Sequence, residues 1–140
     1  MHLVTGLLLW LSIASGQSRE LDPNRLESLL ASGDLQAAEA AAEVFLKDGL
    51  HPTRVDSINV LIATRVLVAS RLGQQKTSEL DSLIPGLALL SEALFGKDSR
   101  FFAESRAFAG DLKQLRGEYR ASLADFGESL SVLSAAANPD

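Results

Sequence analysis

Gly33-Asp34-Leu35-Gln36-Ala37-Ala38 and Gly117-Glu118-Tyr119-Arg120-Ala121-Ser122 are two copies of one local plan. In each, a glycine that can turn the chain is followed by an acidic residue and then a large apolar one. The acid falls in the first turn of a helix, where it complements the positive end of the helix dipole. The large side chain, Leu35 or Tyr119, is expected to dock that helix back onto its partner. The small residue three positions later, Ala38 or Ser122, lets the two helices approach closely. A third glycine, Gly73, lies between the copies, so Gly33, Gly73 and Gly117 recur at intervals of about forty residues, the mark of a helical-hairpin array.

The punctuation around these glycines divides the chain into six helices. Asp22-Pro23 opens the first, with Asp22 as N-cap and Pro23 at the first helical position; it ends before Gly33. The second, rich in alanine, runs from Leu35 to Lys47 and stops at Gly49. His51-Pro52-Thr53 opens a third that runs to Leu72. A fourth lies between Lys76 and Leu94, kinked or divided at Pro85-Gly86 and ended by Gly96. The fifth runs from Ser99 to Arg116, and the sixth from Glu118 to Ala136, before Asn138-Pro139. No sustained alternation of apolar and polar residues competes with this period, so the fold class is all-α. Short connections favour antiparallel neighbours, which groups the helices as hairpins over residues 22–48, 53–94 and 98–136.

His51-Pro52-Thr53-Arg54-Val55-Asp56-Ser57-Ile58-Asn59 reads as a linker and the start of a helix. Ala93-Leu94-Phe95-Gly96-Lys97-Asp98-Ser99-Arg100 leads in the same way into Phe101–Ser105, Leu112 and Gly117-Glu118-Tyr119. These stretches resemble the tetratricopeptide repeat, in the longer-repeat variant of kinesin light chains and many bacterial scaffold proteins. The resemblance extends over residues 22–140, and Asn138-Pro139-Asp140 resembles the start of one more linker. It implies a right-handed α-solenoid of about three hairpins whose concave face, built from first helices, binds another protein or a peptide. Two residues depart from the pattern: Lys113 stands where tyrosine is usual, and Arg106 where an apolar residue is common. A HEAT-like array and a plain helical bundle are the other architectures open to such a period, but neither accounts for the G-x-Y signature or the His-Pro linker.

By the same resemblance the groove is lined by the third and fifth helices. Asn59 matches an asparagine that holds the ligand backbone in peptide-binding members; its other reading is a bond to a neighbouring carbonyl. Arg65 interrupts the apolar run from Val60 to Ala69. It either meets an acidic partner in the groove or pairs internally with a carboxylate, and Arg106 has the same two readings. Glu104, Asp111 and Gln114 are candidates for the groove rim, against ordinary solvent exposure. Phe101, Phe108, Leu112 and Leu115 share one helical stripe and are read as core.

Leu3 to Ile13 is almost unbroken apolar sequence, followed by the small residues Ala14-Ser15-Gly16. This fits a secretory signal over residues 1–16, too short for a membrane span of about 20 residues. Met1 and His2 leave the positive charge of its leading region to the α-amino group, and an apolar helix packed on the domain is the competing reading. A polar linker over 17–21 separates it from a repeat domain over 22–140. The net charge of −5 and the scattered basic residues leave no electrostatic footprint for nucleic acid or anionic lipid. The absence of cysteine removes disulfides, thiolate metal sites and a lipid-anchored cysteine.

The remaining inventory carries no catalytic set. The histidines are His2, in the leader, and His51, beside a proline in a turn; base catalysis needs a second group within reach. Ser105, Ser122 and Ser129 have no histidine partner nearby in sequence and read as small contacts between helices. No glycine-rich phosphate loop is present. Catalytic, metal and cofactor-binding residues are therefore assigned to none. The expectation is an exported, non-catalytic adaptor, periplasmic or secreted, whose partner is another protein or peptide. The alternative is a structural segment of a larger repeat protein; an enzyme is the third class.

Overall fold

The computed structural model describes residues 22–47 and 54–137. The apolar leader, the 17–21 linker, the His51-Pro52-Thr53 turn and Asn138-Pro139-Asp140 lie outside the described residues. The rest is all helical: α1 (Pro23–Ala31), α2 (Leu35–Lys47), α3 (Arg54–Gly73), α4 (Leu80–Phe95), α5 (Arg100–Leu115) and α6 (Tyr119–Ala137).

The helix starts follow from local chemistry. The Asp22 carboxylate accepts a hydrogen bond from the Asn24 amide at 2.9 Å, with Pro23 entering the helix behind it. Asp34 accepts from the Ala37 amide at 3.3 Å, and the Ser99 hydroxyl accepts from the Phe102 amide at 3.2 Å. Each cap satisfies a backbone donor that would otherwise lack a partner. Gly33 (φ 81°) and Gly117 (φ 80°) are the left-handed residues that reverse the chain, a conformation glycine adopts without steric cost.

The middle hairpin departs from the expectation. Gly73 is the last residue of α3, and the left-handed residue is Gln75 (φ 59°). The Lys76 amide donates to the Arg71 carbonyl at 2.8 Å, as the Glu118 amide donates to the Lys113 carbonyl at 2.8 Å after Gly117. The two turns are thus the same helix-ending motif. Gly73 serves close approach instead, because a Cβ there would lie 2.7 Å from Leu35 Cδ1. The next helix begins at Leu80, after a second left-handed residue, Glu79 (φ 65°), and not at Lys76. It also runs unbroken through Pro85-Gly86. Pro85, Gly86 and Asp81, whose carbonyl Pro85 cannot bond, are all exposed, so water can take the place of that hydrogen bond and lessen the penalty of an interior proline.

Gln75 stands midway in the chain between Gly33 and Gly117. Aligning the hairpins on these three turn residues brings buried positions into register. Leu26, Val68 and Gly110 coincide, as do Ala38, Leu80 and Ser122, and Phe45, Leu87 and Ser129; all nine are buried. Side-chain sizes compensate across the helices. Leu26 shares a core cluster with Ala42, and Val68 shares one with Ile84. Gly110 meets the ring of Phe126, which comes within 2.8–2.9 Å of where a Cβ would be. At this position the residue on the first helix shrinks from Leu26 through Val68 to Gly110 as its counterpart on the second helix grows from Ala42 through Ile84 to Phe126, which is consistent with dense interior packing.

Each helix packs on its successor, and the first helices α1, α3 and α5 also pack on one another in order. The second helices α2, α4 and α6 do not approach each other. One face of the molecule is therefore the crowded row α1–α3–α5. Stacking of Phe95 on Phe101, with ring centroids 4.8 Å apart, carries the chain from α4 into α5. Phe101 and Phe108 are partly buried in the second core cluster beside Leu112, whereas Leu115 at the end of the same stripe is exposed.

Candidate functional site

Three of the six candidate residues are committed to contacts inside the protein. Arg65 of α3 reaches Glu27 on α1 and Glu104 on α5, so one guanidinium joins all three first helices. Arg106 of α5 pairs with Asp125 at 3.0 Å and Glu128 at 2.9 Å on α6. Lys113 adds a bond of 2.6 Å to Asp125, whose side chain is 3% exposed. Asp125 lies where the first two hairpins have Ala41 and Leu83. A buried carboxylate in that apolar position needs counter-charge, and Arg106 and Lys113, both partly exposed, supply it. Sequence reasoning missed Asp125; an acid in register with Ala41 and Leu83 was the available signal. Asn59 is half-buried on α3, away from the residues that line the groove described next.

Asp111 and Gln114 are brought together. With Ala69, Leu72 and Gly73 of α3, Phe108 and Leu115 of α5, and Tyr119, they line an open groove of about 510 Å³ between α3, α5 and the start of α6. This volume lies within the range of about 300–1,000 Å³ usual for ligand sites. Asp111 is half-buried, and burial pushes its carboxyl above the ordinary value. The other half-buried or buried acids among the described residues are paired: Glu27 and Glu104 with Arg65, Glu39 with Lys76, Glu43 with Arg71, Glu92 with Lys97, and Asp125 with Arg106 and Lys113. Asp111 has no such partner. Of the basic side chains on the flanking elements, Arg71 is engaged by Glu43 and Glu79, Lys113 by Asp125, and Arg116 by Asp81 in a two-pronged contact of 2.7 Å per bond; Arg120, one residue beyond Tyr119, is exposed and does not line the groove.

Tyr119 does not dock as its sequence position suggested. It is 65% exposed, whereas its counterpart Leu35 packs under Gly73 of the following hairpin. The partner of Leu35 thus lies on the hairpin that follows its own, and the described residues contain no helix beyond α6. Leu123 (69%) and Leu130 (63%) extend the exposed apolar face along α6. Among the described residues, no group of three His, Cys, Asp or Glu side chains could hold a metal ion, and no helix is long and apolar enough to cross a membrane. In comparisons with known proteins, the chain matches no family model, no curated sequence and no solved structure.

Proposed function

We propose that this chain is an exported, non-catalytic protein-interaction module built from three tetratricopeptide-like hairpins in a right-handed solenoid, and that it holds a protein partner against its third hairpin. The observation that carries this reading is the combination of an open groove holding an unpartnered acid with the exposed apolar side chains Tyr119, Leu123 and Leu130 along one side of α6. Apolar surface of this kind, rimmed by polar residues, is the usual signature of a partner site. The crowded row of first helices and the three hairpins in register support the repeat architecture. The apolar leader supports export.

A photo-crosslinking amino acid placed at Tyr119 or Leu123 tests the reading in the native host, with Leu89, which is 68% exposed on α4, as the control position. Tyr119 and Leu123 should give one shared cross-linked protein that Leu89 does not. Equal labelling from all three positions, or none from the first two, overturns the reading. The N-terminus of the recovered chain, read by mass spectrometry, should be Gln17; an intact Met1 removes the export proposal.

A further inference from the structure

The hairpin register states what the open face of the third hairpin is shaped to receive. In the first hairpin, the equivalent face is occupied by α3. Glu27 there meets Arg65, and Leu35 meets the backbone at Gly73. Glu39 and Glu43 meet Arg71, with Lys76 also on Glu39. One repeat interval carries Glu27 to Ala69 and a second carries it to Asp111; two intervals also carry Leu35 to Tyr119, Glu39 to Leu123 and Glu43 to Gly127. Asp111 is thus the counterpart of an acid whose partner is an arginine from the next helix in the row, and Tyr119 the counterpart of a residue that packs under a glycine of that same helix. The second pair of acids has been replaced by Leu123 and Gly127, so the face asks for one cation rather than several.

We infer that the third hairpin binds a partner's amphipathic helix in the way the first hairpin seats α3, with a lysine or arginine over Asp111, a small residue over Tyr119 about two turns further on, and an apolar row along Leu123 and Leu130. The inference rests on the interaction reading above and gives the partner its chemistry. A basic side chain suits the groove twice over. Its charge meets the one half-buried carboxylate lacking a counter-ion among the described residues, and its methylene stem lies along Leu72, Phe108 and Leu115, as long basic side chains do on apolar surface.

The test titrates the full chain into a fluorescein-labelled peptide of residues 54–73 carrying Arg71→Gln, and into the same peptide with citrulline, a neutral group of the same shape, at position 65. The arginine peptide should bind about tenfold more tightly than the citrulline one, the loss expected for a charge-assisted contact. Asp111→Asn should erase that ratio, and Tyr119→Asp should weaken both peptides alike, with helical content by circular dichroism confirming that each variant folds. Equal binding of both peptides overturns the cation contact while leaving the interaction reading in place. A ratio that survives in Asp111→Asn places the cation elsewhere and also overturns it. No binding of either peptide overturns the helix-docking inference; the photo-crosslinking experiment, which uses the native partner, then decides separately whether the interaction reading falls with it.

Discussion

Replacing Gly110 by alanine sets two known effects against each other. Alanine is favoured over glycine in a helix interior by about 0.8–1.0 kcal/mol, so an unopposed Gly110→Ala stabilises. The new methyl would lie 2.8 Å from Phe126 Cε1 and 2.9 Å from Cδ1 and Cζ, well inside the optimum carbon–carbon separation of about 3.5–4.0 Å. Overpacking of this kind costs about 1–3 kcal/mol. The ring is held on the α5–α6 interface and is not a freely swinging chain end, so the clash should win by about 1 kcal/mol. Phe126→Ile, which introduces the isoleucine found at the equivalent position of the second hairpin, Ile84, should cost about 1–2 kcal/mol alone by leaving space. Combined, the two changes should cost at least about 1 kcal/mol less than their sum. Urea unfolding of the four proteins, with midpoint and slope both fitted, completes the cycle. A Gly110→Ala protein as stable as the parent, or strictly additive costs, would refute the size compensation inferred from the register.

Ser91 is fully buried and its hydroxyl has no hydrogen-bond partner, so Ser91→Ala should stabilise by about 1 kcal/mol; a lowered urea midpoint would show that the hydroxyl is satisfied after all. Tyr119→Asp should leave the unfolding free energy from urea titration within about 0.5 kcal/mol of the parent, as for other exposed positions, while a large loss would mean that the ring is docked in solution. Asp111 titrates above the ordinary carboxylate value because of burial, so the native state holds its proton more tightly than the unfolded chain does. Its ionisation then costs stability as pH rises through the window above the ordinary value. Asp111→Asn should accordingly raise the melting temperature at pH 7 and lose that advantage below about pH 4. An advantage that grows towards acid pH would contradict the assignment.

The helices were legible because their ends are written in local chemistry. Asp22-Pro23, Ser99, Gly33, Gly96 and Gly117 act through the backbone within a few residues of themselves, and the reading placed the ends they mark closely. The middle turn was misread because Gln75 adopts a left-handed conformation without being glycine, while the nearby Gly73 is needed for the approach of Leu35, a residue far away in sequence. Pro85 was read as a kink or a division, and the second of these failed because sequence does not show which side of a helix faces water. At the site, Asp111 and Gln114 were read as rim residues of a partner groove against ordinary solvent exposure, and they line the open groove beside Tyr119. Arg65, Glu104 and Arg106 kept two readings because each is settled by a partner on another helix. Tyr119 was misjudged for a related reason: the residue that would bury it belongs to a following helix, not to its own hairpin.

Every packed pair of helices is separated by at most one other helix along the chain. Arrays that pack in this way fold with little loop entropy to overcome and therefore quickly, typically in microseconds to milliseconds. They also need not open as a single unit. Among the described residues α6 packs on α5 alone, through the ion pairs of buried Asp125 and the fit of Phe126 against Gly110. Amide exchange should therefore be slowest in α3, which is packed against four neighbours, and should quicken towards α6, the helix whose outer surface is offered to a partner. Engagement of that surface would then register as slowed exchange along α6 before any change was seen in α1.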